Sequence, residues 1–397
     1  MKPGSWTSIF SLFLFGVVGA STVSKLIPLG ADLGREFGAT AANFGWLVSL
    51  IALPAVILAI PSGLLVDRFG SRRVLNMSAA LGVVANGLYL LAPRYGILQL
   101  ARLLEGVAIV HIYTAAPAFL MATTEGKRRG TAMTIWATYM PTGTAVGLLL
   151  AGLFAGTDNW RLVFLFQGGL FLLVALVNLR QPHVAAAAGT SQVRSLRHRL
   201  LDLRGAYSRP PLLLLALAFF LMISLGFGAN STFPSYFARI HEVSISHTAN
   251  VIALGTLLMI PGSLGVGALI AAGGSQQRVF AGLAVLGALA GSLAFFPGLS
   301  IALRIPVVGL WFVISGAALA TIMATLPRVA EPQRRGAAAA LLNQAAATAT
   351  FVNPPIWLPL SVAGGWLPFA GLMVAGWVIS AGCVAGLSAA AEPEGVP

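Results

Sequence analysis

Charge is scarce in this chain of 397 residues: 9% are Asp, Glu, Lys or Arg, against about 25% in a typical soluble domain. Hydrophobic residues make up 57%. Too little polar surface remains to clothe a globule, so a soluble enzyme or binding module is excluded. Cysteine is all but missing. Cys383 stands alone, which rules out a disulfide framework and any cysteine-held metal cluster. The chain also has no H-E-x-x-H, no G-x-x-x-x-G-K-S/T phosphate loop and no Ser-His-Asp or metal-ligand spacing. No enzyme activity, ATP-driven pumping, metal or cofactor is therefore expected. Acidic residues number 11 against 24 basic ones, a formal net charge of +13. In a soluble protein that excess would point to nucleic acid. Here the basic residues lie in short segments between apolar runs, so membrane topology explains them and no nucleic-acid partner is expected.

What the chain has in abundance is long apolar stretches. A helix crossing about 30 Å of hydrocarbon needs about 20 mostly apolar residues. Polar and Pro/Gly breaks delimit twelve such runs, at about 8–29, 44–66, 74–92, 96–122, 131–155, 161–180, 211–236, 247–271, 279–297, 299–325, 336–358 and 366–389. The narrowest break is Pro297-Gly298. The first run has the look of a signal peptide, with Lys2 ahead of it and small residues near Ala20, but it continues to about Leu29 and is expected to be retained as a span. The predicted fold class is an all-α polytopic membrane protein of twelve transmembrane helices, with the bilayer as its surroundings. One set of connecting segments holds Lys2; Arg68, Arg72 and Arg73; Lys127, Arg128 and Arg129; Arg180, Arg194, Arg197, Arg199, Arg204 and Arg209; Arg278; and Arg328, Arg334 and Arg335. These are 17 of the 24 basic residues. The opposite set holds Arg35, Arg94, Arg161 and Arg239, with Arg304 at the outer end of the tenth span. Both termini are thus expected in the cytoplasm, in an inner (plasma) membrane.

A long polar stretch from about Gln181 to Arg209 separates six spans from six. The expected domains are a six-helix bundle over 1–184, a cytoplasmic basic linker over 185–209 and a second bundle over 210–397. The linker reads as a solvated segment, or as an interfacial amphipathic helix carrying Arg194, Arg197, Leu200, Leu201 and Arg204. The two halves repeat. Gly63-Leu-Leu-Val-Asp67-Arg68-Phe-Gly70-Ser after span 2 matches Gly267-Ala-Leu-Ile-Ala271-Ala272-Gly-Gly274-Ser after span 8, at an offset of 204. Arg128-Arg129-Gly130 before span 5 matches Arg334-Arg335-Gly336 before span 11, at an offset of 206.

On these residues the chain resembles the major facilitator superfamily. Gly63, Leu65, Asp67, Arg68, Gly70, Arg72 and Arg73 match that family's G-x-L-x-D-R-x-G-x-R-R loop. Arg102-Leu-Leu-Glu105-Gly106 in span 4 is similar to its R-x-x-Q-G motif, with Glu for Gln. The resemblance implies two pseudo-symmetric bundles about a central cavity that is opened to each side in turn. It also implies a cytoplasmic gate at Gly63, Asp67, Arg68, Gly70, Arg72 and Arg73. Read without the family, Asp67 at a helix end can pair with arginines or meet a helix N-terminus, biasing a two-state equilibrium, or the arginines can merely fix topology. The second copy has Ala271, Ala272, Gln276 and Gln277 in place of the acid and its neighbours, so a charge latch belongs to the first half.

Ionisable residues at membrane depth are costly and mark function. Those in the spans are Lys25, Arg102, Glu105 and His111, with Glu105 read as the intramembrane carboxylate. At 100° per residue, Arg102, Glu105 and Tyr113 share a face that His111 cannot. A Lys25–Glu105–Arg102 cluster is expected, with one uncompensated positive charge. Either that charge attracts an anionic group of a substrate, or Arg102–Glu105 is a structural pair and Lys25 snorkels outward. His111 reads as packing in preference to a proton carrier. Tyr139, beside Gly143 and Gly147 in span 5, Asn230 at the end of span 7, and Asn343 and Gln344 in span 11 are candidates to line the path. Asn353-Pro354-Pro355 is expected to break or kink span 11.

Drug–proton antiporters of the family carry an acid in span 1 and a G-x-x-x-G-P-x-x-G-G motif in span 5. Here span 1 has Lys25, and Gly143-Thr-Ala-Val-Gly147-Leu-Leu-Leu-Ala-Gly152 lacks the Pro and the Gly pair. The end of span 7 looks faintly like the cyanate and nitroimidazole branch. The expected function is secondary active transport of a small-molecule substrate, a small organic or inorganic anion, coupled to protons as a symporter, by a monomer. Efflux of drug-like amphipathic compounds is the alternative, and a non-transporting sensor or assembly factor on the same scaffold is the reading from another class.

Overall fold

A computed structural model describes residues 1–182, 208–330, 335–363 and 365–389. Among them the backbone is helical almost throughout and contains no strand. A lipid-embedded chain has this outcome forced on it, because the hydrocarbon offers no partner to backbone N–H and C=O groups and a helix satisfies them internally. The first half contains α1 (Trp6–Ser24), α2 (Gly30–Phe37), α3 (Ala41–Ser49), α4 (Leu53–Phe69), α5 (Ser71–Leu90), α6 (Tyr95–Thr123), α7 (Gly126–Ala137), α8 (Tyr139–Gly152) and α9 (Leu162–Asn178). The second contains α10 (Pro210–His241), α11 (Ile245–Leu257), α12 (Met259–Ala271), α13 (Gln276–Phe295), α14 (Ile301–Val329), α15 (Arg335–Ala363) and α16 (Trp366–Ala389).

Each of the twelve predicted runs coincides with a helix or a broken pair: α3 with α4, α7 with α8, and α11 with α12 make one span each. Eight helical stretches among the described residues are long and apolar enough to cross a bilayer on those grounds alone. Local chemistry sets the ends. Ser5 caps α1 by accepting from the Ser8 N–H at 3.3 Å, and Thr40 caps α3 from the Asn43 N–H at 3.2 Å. Gly70, at φ +80°, makes the sharp turn between α4 and α5 that few side-chain-bearing residues tolerate. The expected break in span 11 is not found: α15 continues as helix through Pro354, Pro355 and Pro359. Proline φ is compatible with helix, and the cost is confined to the carbonyls of Thr350, Phe351 and Pro355, four residues before each proline, which lose a backbone donor.

Two compact units account for the packing, Met1–Leu196 with Ser244–Ala253 and Arg197–Val243 with Leu254–Pro397. The linker expected over 185–209, with its amphipathic-helix alternative, lies outside the described residues apart from positions 208 and 209. Within each half the same neighbours recur. In the first, α1 lies along α8, α4 against α6, and α5 against both α6 and α9; in the second, α10 lies along α15, α12 against α14, and α13 against both α14 and α16. Small residues set the closest approaches. A methyl group on Gly143 or Gly147 would run into the Val17 or Ser21 carbonyl of α1. Gly106 of α6 lies against the Ile51 carbonyl and the Pro54 ring, and Gly316 of α14 takes the same place against the Met259 backbone.

Gly106→Ala and Gly316→Ala are each expected to cost about 1–3 kcal/mol, the usual penalty for overpacking a close contact, measured as a lowered thermal midpoint in detergent. Gly265→Ala, where an added methyl meets nothing within 4 Å, is expected to be neutral or slightly stabilising.

Candidate functional site

The site begins with a helix that stops early. α1 ends at Ser24, well before the end of its apolar run, and Lys25 occupies its C-cap. The last carbonyls of any helix have no intrahelical donor. Arg102, on α6, takes those of α1: its guanidinium donates to Thr22 O at 2.6 Å and Val23 O at 3.0 Å, and also to Val48 O at 3.2 Å near the end of α3. Three residues on, one helical turn along the same face, Glu105 accepts from Arg102 at 3.2 Å. The Lys25 ammonium donates to Glu105 Oε1 and to Asn86 Oδ1 of α5. Tyr89, one turn after Asn86, donates its hydroxyl to Glu105 Oε2 at 3.2 Å.

Lys25, Arg102 and Glu105 are all fully buried. The ammonium lies 4.9 Å from the Tyr89 ring centre and 5.1 Å from that of Phe164, and those two rings stack at 4.5 Å with 10° between planes. The ammonium thus lies beside this aromatic pair, at nearly equal distance from both ring centres, an arrangement we call the aromatic slot. α1 is fixed over the cluster by Gln167 of α9, which donates to Ser21 Oγ at 2.9 Å and Val18 O at 3.1 Å, and by Ser24, which donates to Thr144 O of α8 at 3.0 Å.

The expected Lys25–Glu105–Arg102 cluster is therefore formed. The snorkelling alternative for Lys25 is overturned, because two oriented acceptors inside the bundle, Glu105 and Asn86, hold the ammonium at zero exposure. Tyr113 shares the α1-facing side of α6 but stays out of the cluster; its ring meets Tyr139 at 4.9 Å, Tyr139 meets Trp136 at 4.5 Å, and the Tyr113 hydroxyl is buried without a hydrogen-bond partner. His111 Nδ1 pairs with Val107 O of its own helix at 2.6 Å. In the second half, Asn230 is half-buried with its Oδ1 unpartnered, Asn343 is exposed and Gln344 half-buried. The residues expected in a cytoplasmic loop lie on helix to either side of Gly70: on α4, Gly63 is half-buried and Asp67 and Arg68 are exposed, and on α5, Arg73 is exposed and Arg72 donates to Leu179 O at the end of α9.

The neutral residues expected at the site were Tyr113, Tyr139, Asn230, Asn343 and Gln344; Asn86, Tyr89 and Phe164, which surround the cluster, were not among them. The signal for Asn86 and Tyr89 was available: a buried amide and a phenol one turn apart on one apolar helix. Sequence reasoning also missed Asp32, which lies past the first predicted run yet is 1% exposed on α2. No charged counterpart to the cluster appears among the described residues of the second half. Phe295 and Phe369, which follow Tyr89 and Phe164 by 206 and 205 positions, stack at 4.2 Å with 13° between planes, and Phe233 stands edge-on to Trp311 at 5.7 Å. Where the first half holds charges, the second is filled by aromatic rings. Arg304, expected at the outer end of its span, is buried and donates to Phe296 O at 2.7 Å and Leu299 O at 3.0 Å, closing the end of α13.

Twelve spans in two similarly paired sets, with an ion cluster buried in the first, make a multi-pass membrane protein. The chain belongs to the Major Facilitator Superfamily, whose sequence model matches residues 7–354. It is 27% identical over 181 residues to the probable galactarate/D-glucarate transporter GudP of Escherichia coli K12, covering 44% of this chain and 40% of that protein. It is 24% identical over 266 residues to multidrug resistance protein 1 of Bacillus subtilis 168, covering 66% and 63%. The matches thus span less than two thirds of these relatives' lengths. Among solved structures it is similar in fold to a point mutant of the nucleoside transporter NupG, at a TM-score of 0.78 with 13% identity over 96% of this chain and 99% of that one. It is also similar to a bacterial homologue of the human lysosomal transporter Spinster, at a TM-score of 0.75 with 17% identity over 98% and 96%.

Removing Glu105 leaves two buried cations without a carboxylate, whereas removing Lys25 leaves a balanced Arg102–Glu105 pair. Glu105→Gln is therefore expected to cost about 3–5 kcal/mol and Lys25→Gln markedly less, read from thermal unfolding of the two variants in the same detergent.

Proposed function

We propose that this transporter carries a small organic anion bearing a carboxylate together with protons, by alternating access of the halves 1–184 and 210–397. The observation that supports this reading is the charge of the buried cluster: two cations, Lys25 and Arg102, share one carboxylate, Glu105, and all three are out of water. Protonation of Glu105 removes the one negative charge and releases Lys25, so a proton and a substrate carboxylate enter the site together with the balance restored. Arg102 stays tied to the helix-end carbonyls and holds the frame. Tyr113, Tyr139, Asn230, Asn343 and Gln344 line the route, and Gly63, Asp67, Arg68, Gly70, Arg72 and Arg73 bias the cytoplasmic side toward closure. The protein acts as a monomer in the plasma membrane with both termini cytoplasmic. The sugar-acid transporter among its relatives agrees with this substrate class.

A second reading, efflux of amphipathic drug-like compounds, draws on the multidrug relative and on the Trp136–Tyr139–Tyr113 aromatic row. Purified protein in liposomes, challenged with galactarate, smaller carboxylates and lipophilic cations under an imposed pH gradient, separates them. Carboxylate uptake that needs the gradient is expected, lost in Lys25→Gln and made independent of the gradient in Glu105→Gln. Transport of lipophilic cations alone would replace the first reading by the second.

A further inference from the structure

The aromatic slot around Lys25 is held in place from the end of the bundle away from the Arg68–Arg73 loop, by an ion pair whose arginine reads from the sequence as a topology marker alone. Arg161, at the start of α9, donates to Leu90 O at 2.8 Å and Ala92 O at 2.9 Å, closing the end of α5, and forms an ion pair with Glu36 of α2. Glu36 also accepts from the Trp160 indole at 3.2 Å. Leu90 follows Tyr89 directly, Phe164 is one turn after Arg161 on α9, and Trp160 stands edge-on to Phe164 at 5.9 Å. Both walls of the slot thus lead back to Glu36: one through Arg161 and the end of α5 to Tyr89, the other through Trp160 to Phe164. The same short helix is anchored again by Asp32, whose carboxylate accepts from the Gly156 N–H at 3.0 and 3.2 Å. The slot is sealed, with Tyr89 and Phe164 at zero exposure, while the clamp reaches water: the side chains of Arg161 and Glu36 are 28% and 39% exposed.

We propose that Glu36 and Arg161 are positioning residues for Lys25. By fixing the ends of α5 and α9 to α2 they keep Tyr89 and Phe164 stacked beside the ammonium and keep it on Glu105. Lysine cannot replace Arg161, because a single ammonium does not offer the planar fork that serves two carbonyls and a carboxylate at once. Neither residue touches a solute in this arrangement. This inference rests on the proposed coupling role of the cluster for its consequence in transport, but its geometry is testable without transport.

The chain has three lysines, and Lys2 and Lys127 are exposed while Lys25 is buried. Acetylation of the full-length protein in micelles, followed at each lysine by peptide mass spectrometry, therefore reports how often the slot opens. In the unaltered protein Lys25 is expected to react at least about 100-fold more slowly than the other two, as expected for a group reached only by local opening. Arg161→Gln and Arg161→Lys are each expected to speed its acetylation about tenfold, and Glu36→Gln by a smaller factor, with Lys2 and Lys127 unchanged. Glu36→Gln keeps an acceptor for Trp160 and serves where the arginine variants do not fold; Arg94→Gln, an exposed arginine near the same end, is expected to change nothing. Lys25 rates unaltered in folded Arg161 and Glu36 variants would overturn the inference. A faster Lys25 reaction with gradient-driven uptake intact would support the positioning role and overturn the coupling role of the cluster.

Discussion

Helices that end inside a bundle expose carbonyl oxygens that lipid cannot solvate, and the structure of the first half turns on how those oxygens are met. Arginine is suited to the task, since one planar guanidinium reaches several acceptors at once. Arg102 meets the ends of α1 and α3, Arg161 the end of α5, and Arg304 the end of α13. Arg102 and Arg304 bring a charge into the apolar interior as the cost of closing a backbone end, while Arg161 does so at its edge, partly in reach of water. In the first half carboxylates answer that charge, Glu105 for Arg102 and Glu36 for Arg161. The presence of Lys25 beside Glu105 goes beyond this structural need, and that surplus is the reason to assign the cluster a task.

The two halves share their helix pairings yet differ in chemistry. Tyr89 on Phe164 and Phe295 on Phe369 are equivalent stacks at nearly the same spacing, one with an ammonium against it and the other with further rings. An aromatic filling satisfies packing with no ion pair to balance. A duplicated scaffold need not duplicate its chemistry, and here one half buries an ion cluster where the other packs rings.

The span count was legible because hydrocarbon thickness imposes a length that composition alone reveals, and the half-repeat because loop motifs recur at a fixed offset. The Lys25–Glu105–Arg102 cluster was legible because ionisable residues at membrane depth are few and helical periodicity places Arg102 and Glu105 together. Asn86 and Tyr89 left only a spacing as their mark, an amide and a phenol one turn apart on an apolar helix, and Phe164 left none, since nothing in one sequence says which rings face inward on a helix apolar nearly all round. Glu36 and Arg161 were hidden for another reason. They lie 125 positions apart, and a loop arginine counted for topology carries no mark of the carboxylate that it meets. The run Asn353-Pro354-Pro355 misled only as to a break, because a proline's missing donor does not entail a missing helix, and the surrounding helical φ is one that proline itself adopts.

That uninterrupted proline helix has a mechanical corollary. In an ordinary helix, flexing stretches N–H···O=C hydrogen bonds that must be strained or broken on one side. At Pro354, Pro355 and Pro359 those bonds do not exist, so α15 is compliant over this stretch, and a sideways load is absorbed there while the regular turns on either side remain stiff.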